Sequence, residues 1–275
     1  MDAISPKHAQ DIHDEFHALV AERHLLHDFI SKMIIPTHGA LWKHRMIREP
    51  TPSGSPKDSG DDPMPGPSTT QAVEARMLAH VLAMHQALLE VGISELAENI
   101  VEDAAGDDLA QWITAVFRRT LPALRISSKW LRANYKYVVQ SHSSDDYKAR
   151  DSRGGSFSAA AAAGEELNVA ILQFWSKYAK FSTMLSHTFP AERLPTLSTP
   201  LEEDVEMRGF LPLRQMMGDA KNASGEDAAN DLPSKTSSSE GQVHPNEEQL
   251  MRIADLLKDA KILADTEAGV VDHYS

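Results

Sequence analysis

The sequence predicts an all-α protein in which antiparallel helices pack in layers, as in a tetratricopeptide-like or α-solenoid-like helical domain. Several long segments carry apolar residues at alternating intervals of three and four, which is typical of a helix with one buried face. No segment shows the alternating pattern of a half-buried strand. At 275 residues with 41% hydrophobic content, the chain is long enough for one core and extended polar segments.

Composition narrows the class of protein. The absence of cysteine excludes a disulfide framework, a thiolate zinc site and a cysteine nucleophile. The charged first residues lack a secretory signal pattern, and we expect no segment apolar enough to cross a bilayer. We therefore expect a location in the nucleus, the cytoplasm or both. The net charge of -13 argues against a protein that coats nucleic acid with its whole surface, but it permits one basic patch.

Changes in composition divide the chain into segments. We predict N-terminal helices in 1–49, the first of them running from Ala9 to Ile34 and ending before Pro36. Prolines and glycines then predict a disordered loop at 50–69. A core helical domain follows at 70–213, with a disordered insert at 141–164. Residues 214–244 read as a third disordered insert, and 245–266 as the last helix of the same domain.

The first helix of this core domain shows a predicted buried stripe. The stripe consists of Val73, Met77, Val81, Met84, Leu88 and Val91.

The stretch from Trp112 to Val139 combines helical periodicity, aromatic residues and positive charge. Pro122 suits the first turn of a helix, which predicts one helix at 109–120 and another at about 122–140. One predicted face points inward and carries Leu124, Ser128, Leu131, Tyr135 and Val138. A second face is predicted to be exposed as a cationic ridge of Arg125, Lys129, Arg132 and Lys136.

This ridge is the predicted site for nucleic acid or another polyanion. No acidic residue occurs between Leu109 and Ser144, and aromatic side chains beside the cations could stack on bases. The predicted site comprises the ridge together with Arg118, Arg119, Trp130 and Tyr137. Two alternatives remain open: the charges only keep the surface soluble, or they dock an acidic or phosphorylated segment of a partner protein.

The acidic segment near residue 204 is predicted to act as a structural clasp. Its carboxylates, Glu202, Glu203, Asp204 and Glu206, read as a solvated face. Alternating apolar residues, namely Val205, Met207, Phe210, Leu211 and Leu213, are predicted to anchor the loop to helices. We assign the clasp to Asp204, Val205, Arg208, Gly209, Phe210 and Leu213.

No motif predicts catalysis, a metal or a cofactor. His13 and His17 are four residues apart, but Asp14 stands where a zinc protease has glutamate and no third ligand is evident. The sequence has no glycine-rich phosphate loop, serine elbow or set of aspartates for two metals. We therefore expect a protein that is not an enzyme.

Three blocks together resemble a known family. They are FRRTLPALRISSKWLRANYKYV, LQFWSKYAKFSTMLSHTFP and PLEEDVEMRGFLPL, the last followed by a helix with acidic residues at its start. They resemble the helical DNA/RNA-binding domain of the Ever-Shorter-Telomeres and Smg family, most specifically at Glu203 to Leu213, where Met207 replaces the usual leucine. The resemblance covers about Gln111 to Leu213 and extends to the last helix.

The resemblance implies a non-enzymatic helical scaffold in nonsense-mediated mRNA decay or telomere maintenance. RNA or single-stranded DNA, and decay-factor or telomerase-complex proteins, are the implied partners. The alternative from another class is a protein-interaction module that never touches nucleic acid. The family's phosphopeptide-binding region lies N-terminal to the part resembled here, and we find no repeats of 34-residue period before Trp112.

Overall fold

A computed structural model describes residues 6–48, 67–99, 108–143, 159–217 and 243–271. Within these ranges all regular structure is helical, with helices packed in layers, so the predicted all-α class is confirmed. The helices are α1 (Pro6–Ala21), α2 (His27–Arg48), α3 (Pro67–Asn99), α4 (Ala115–Ser143), α5 (Ala159–Thr188), α6 (Glu202–Glu206), α7 (Arg214–Met217) and α8 (Pro245–Val271). Short 3-10 turns occupy Leu109–Trp112, Ala191–Arg193 and Leu211–Leu213.

The chain divides into two compact units. Unit 1 comprises Met1–Ile93 and Asn134–Phe181, and unit 2 comprises Ser94–Ala133 and Ser182–Ser275. The core of unit 1 is made of large apolar side chains from α1 to α5, including Phe16, Ile30, Ile34, Leu41, Leu78, Leu82, Leu88, Val138, Ile171 and Phe174. The core of unit 2 includes Leu96, Phe117, Leu121, Ile126, Trp130, Leu131, Phe189, Leu213, Met251 and Ile253.

Two histidine pairs join helices of unit 1 through α3. His13 lies 2.8 Å from His80, with the rings stacked, and the buried His38 lies 2.7 Å from His85 between their Nε2 atoms. Burial lowers the pKa of His85 to about 3. Burial and the neighbouring His80 lower the pKa of His13 to about 4. Each pair is therefore held together by neutral imidazoles, one ring donating to the other.

Two prolines lie inside helices instead of ending them. The predicted first helix is in fact two, separated by a turn in which Arg23 has a φ of 62°, and α2 continues through Pro36. Likewise α4 continues through Pro122, so the predicted boundary there is wrong. An interior proline costs roughly 3 kcal/mol in an isolated helix. Buried side chains next to each proline, such as His38 and Leu121, explain why packing overrides that cost.

The buried stripe of α3 differs from the predicted one at its start. Val81, Met84, Leu88 and Val91 are buried as predicted, whereas Val73 is 41% exposed. Near the start of α3 the buried positions are instead Ala72, Ala75 and Leu78.

Contrary to expectation, one helix among the described residues is long and apolar enough to cross a membrane. This helix segment is Thr70–Glu98. However, 56% of its most apolar window is buried inside the protein, as is common for a core helix of a soluble protein. The finding is weak evidence for a membrane span.

The predicted disordered segments fall mostly outside the described residues. Residues 50–66, 144–158 and 218–242 belong to this group. Helical structure extends into the edges of the predicted segments, because α3 begins at Pro67, α4 ends at Ser143, α5 begins at Ala159 and α7 covers Arg214–Met217.

Candidate nucleic-acid interface

The cationic face of α4 is buried at its centre. Arg125 is only 2% exposed and Lys129 only 5%, so the prediction that these two residues form an exposed ridge is wrong. The side chain of Arg132 is 23% exposed, and Lys136 is exposed as predicted. By contrast, the face predicted to point inward does so: Leu124, Ser128, Leu131 and Val138 are buried, and Tyr135 is half-buried.

The buried cations are neutralised within unit 2 by carboxylates from α6 and α8. Arg125 Nε donates to Asp255 at 2.6 Å, and its Nη1 donates to Asp204 at 2.8 Å and Glu203 at 3.2 Å. Lys129 Nζ lies 2.8 Å from Asp255 and 3.0 Å from Asp259.

Two further arginines complete this arrangement, which we call the ion cluster. Arg132 Nη1 donates to Asp259 at 2.6 Å, and Arg252 binds both oxygens of Glu203 at 3.0 and 2.8 Å. The ion cluster thus contains four cations, Arg125, Lys129, Arg132 and Arg252, and four carboxylates, Glu203, Asp204, Asp255 and Asp259.

The electrostatics favour the charged form of these groups. Burial opposes ionisation of Arg125, but the carboxylates of Asp255, Asp204 and Glu203 outweigh it and raise its pKa. Burial alone would raise the pKa of Glu203, yet its hydrogen bond and charge pairing with Arg252 lower it overall. The pKa of Asp255 is lowered in the same way, because Arg125 and Lys129 offset its desolvation.

The ion cluster is suited to holding α4, α6 and α8 together and not to binding a polyanion. A phosphate would have to displace a carboxylate that already neutralises a desolvated cation, and breaking such a pair is strongly unfavourable. Trp130, predicted to offer its face to bases, is only 2% exposed. Arg118 and Arg119 are half-buried in the same unit, where Arg118 donates to Asn246 at 2.9 Å.

The clasp residues divide between buried charges and exposed apolar groups. Glu203 and Asp204, predicted to be solvated, are 2% and 8% exposed. Asp204 also accepts from the Leu201 amide at 2.9 Å at the start of α6. Of the predicted anchors, Met207 and Leu213 are buried, Phe210 is half-buried, and Val205 and Leu211 are each 51% exposed. The alternating pattern predicted for the apolar anchors does not hold, because α6 is a helix. Exposed Arg208 and Gly209, which has a φ of 82°, form the turn after this helix.

The end of α4 in unit 1 carries the exposed Lys136 together with half-buried aromatic side chains. The Arg45 guanidinium of α2 lies 3.7 Å from the centre of the Tyr137 ring, and Arg45 Nη1 donates to Asn134 at 3.3 Å. The Tyr137 hydroxyl donates to Glu74 at 2.8 Å. These contacts fix the orientation of a half-buried ring with a cation stacked on it.

A second aromatic group lies on the other side of Lys136. The Tyr135 and Trp175 rings meet edge to face at 5.9 Å, and Trp175 meets Tyr178 at 5.7 Å. Successive residues of a helix are about 100° apart, so Tyr135 and Tyr137 lie about 160° apart around α4, one on each side of the exposed Lys136. We call the set Arg45, Tyr135, Lys136, Tyr137 and Trp175 the cation–aromatic surface.

Comparison with known protein families identifies one matching domain. The Est1 DNA/RNA binding domain matches residues 57–216. The chain belongs to this family. The matched domain is a helical binding domain for DNA or RNA, and telomere and mRNA-decay functions are associated with its family. Neither the curated proteins nor the solved structures that were compared gave a match.

The Est1 match includes α3 to α7 but not every residue that matters here. Arg45 lies before the matched range, and α8, which supplies half of the carboxylates of the ion cluster, lies after it. The stacking of Arg45 on Tyr137 was not predicted from the sequence. The available signal was that residues 39–48 and 109–144 both contain cations and no carboxylate. Trp175 was likewise not among the predicted site residues.

Proposed function

We propose that the chain is a non-enzymatic helical scaffold that binds single-stranded nucleic acid through the cation–aromatic surface of unit 1. The observation that carries this proposal is the stacking of Arg45 on Tyr137 at 3.7 Å beside the exposed Lys136. Membership of the Est1 DNA/RNA binding domain family supports nucleic acid as the ligand class.

The chemistry of the surface suits an unpaired strand. Bases stack on aromatic rings and on guanidinium planes, while ammonium groups contact the phosphates. Tyr137 is oriented by Glu74 and Arg45 before any ligand arrives, so less side-chain entropy is lost on binding. Stacking contributes roughly 1–3 kcal/mol per base and accepts any base. We therefore expect RNA and DNA strands of unrelated sequence to bind.

Fluorescence polarisation tests the proposal directly. The chain is titrated into labelled single-stranded RNA and, separately, single-stranded DNA at two salt concentrations. The test variant combines Arg45→Gln with Lys136→Gln, and the control variant combines Lys258→Gln with Lys261→Gln. The control changes the net charge equally and alters two exposed lysines of α8.

The expected result is salt-sensitive binding that only the test variant weakens. Each lost phosphate contact reduces the slope of the logarithm of the binding constant against the logarithm of the salt concentration by about one. Equal weakening by both variants would mean that general charge, and not this surface, attracts the strand. Absence of binding at tens of micromolar, where nonspecific contacts register, would refute the proposal. Binding of an acidic or phosphorylated peptide in its place would favour the protein-interaction alternative.

We place this activity in RNA surveillance or telomere maintenance, in the nucleus, the cytoplasm or both. The support is the family relationship and the resemblance of the three blocks described above. In this proposal the ion cluster keeps unit 2 folded, while unit 1 contacts the strand. Decay-factor or telomerase-complex proteins are the proposed protein partners.

A further inference from the structure

A groove of about 880 Å³ lies in unit 1 between α1, α3 and α5. Apolar side chains line it while remaining open to solvent: Ile12 is 36% exposed, Val73 41% and Val169 54%. The His13–His80 pair also lines the groove. None of the residues of the cation–aromatic surface lines this groove.

The groove is long. Its lining on α3 extends from Val73 to Glu90, which corresponds to about 26 Å of helix at 1.5 Å per residue. Alanines at five lining positions leave space for large side chains from outside, namely Ala9, Ala79, Ala83, Ala87 and Ala170. A long apolar channel over small residues is suited to a helix, because a helix presents large side chains at intervals of three and four along one face.

The charged side chains that line the groove carry a net negative charge. Its charged lining residues are Asp14, Glu90 and Glu166 against Arg76. Glu90 is neutralised by Lys177 at 2.9 Å, whereas Glu166 is exposed and Glu165 beside it is also exposed. The two histidines add no positive charge at neutral pH, because the pKa of each is lowered by burial.

We propose that this groove docks an amphipathic helical segment of a partner protein whose apolar stripe is flanked by lysine or arginine. The apolar stripe fills the space over the alanines, and the basic residues face Asp14 and the glutamates at the start of α5. The acidic charge disfavours a nucleic-acid strand here. The chain thereby joins a cationic protein segment to a bound strand through two surfaces of opposite charge in unit 1.

The test uses a model peptide and two matched variants. The probe is a fluorescein-labelled amphipathic peptide of about 18 residues, with leucines at helical spacing and lysines on the remaining faces. Val169→Lys places a charge in the groove. Leu172→Lys is the control, because Leu172 is 59% exposed on the same helix but does not line the groove.

We expect micromolar binding that Val169→Lys weakens about tenfold or more and Leu172→Lys leaves unchanged. A peptide with glutamate in place of lysine is expected to bind about tenfold more weakly than the lysine peptide. Equal effects of the two variants, or equal binding of the two peptides, would overturn the proposal. A concentration-dependent dimer disrupted by Val169→Lys would assign the groove to a second copy of the chain and would also overturn it. Neither variant alters the cation–aromatic surface, so failure here leaves the strand-binding test unaffected.

Discussion

Because Arg125 lies at the centre of the ion cluster, we expect its substitution to lower the stability of the fold strongly. Arg125→Gln removes a cation that is 2% exposed and contacts three carboxylates from two other helices. A glutamine is shorter and uncharged, and it leaves the cluster with four carboxylates against three cations. The variant therefore buries an uncompensated negative charge between α4, α6 and α8.

The expected loss in the free energy of unfolding follows from the hydrogen-bond partners that each carboxylate keeps in the variant. Glu203 keeps Arg252, Asp255 keeps Lys129, and Asp204 keeps only the Leu201 amide among the hydrogen bonds described above. Removing one partner of a buried ion pair costs about 3–5 kcal/mol, mainly through the charge left behind. We expect a loss of this size in the free energy of unfolding. The gain from forming the pairs in the first place is smaller, because desolvation offsets it.

Urea denaturation followed by far-ultraviolet circular dichroism measures this loss. Lys136→Gln is the matched control, since Lys136 is an exposed cation of the same helix, and it should change stability by less than about 0.5 kcal/mol. A loss below about 1 kcal/mol for Arg125→Gln would refute the reasoning, because it would mean that water or another cation compensates Asp204.

Acidification gives a second, independent check on Arg125. The pKa values of Glu203 and Asp255 are lowered in the folded state, so their stabilisation is complete above the unfolded values and is lost as the pH falls below them. Arg125 is one cause of both shifts. The difference in stability between the wild type and Arg125→Gln should therefore narrow between about pH 5 and pH 2. A difference independent of pH would indicate lost packing and not lost charge pairing.

Three further predictions concern the clasp and the histidines. Leu213→Ala, at a fully buried position, should cost about 2–5 kcal/mol in urea denaturation, and Leu211→Ala less than about 0.5 kcal/mol; equal losses would mean that the turn is not anchored at residue 213. Gly209→Ala should cost about 1 kcal/mol in the same assay, because φ is 82° although no atom obstructs a side chain there; an unchanged midpoint would contradict this. The thermal midpoint of the chain should fall as the pH drops from 6.5 towards 4, since unfolding lets His13 and His85 take up protons that the fold disfavours, and His85→Phe should show a shallower fall.

The helices could be predicted because each long element has an apolar face that must be buried. Ile171 and Phe174 of α5 and Leu131 and Val138 of α4 are buried where the three-and-four spacing places them. Helix ends were less predictable. Pro36 and Pro122 signal termination locally, but the packing of residues on both sides, which no local pattern records, maintains the helix.

The charge stripe of α4 shows why the site was only partly predictable. Arg125, Lys129 and Arg132 have no acidic neighbour in sequence, and their partners Asp255 and Asp259 lie about 130 residues away. Yet those two aspartates are four apart, as are Arg125 and Lys129, so two helices carry complementary charges with the same period. In a chain with a net charge of -13, carboxylates are abundant enough to neutralise an isolated basic stripe internally. A basic stripe in the sequence is therefore weaker evidence of a binding surface than a cation that is exposed in the structure next to aromatic side chains. Lys136, between Tyr135 and Tyr137 in the sequence, is such a cation.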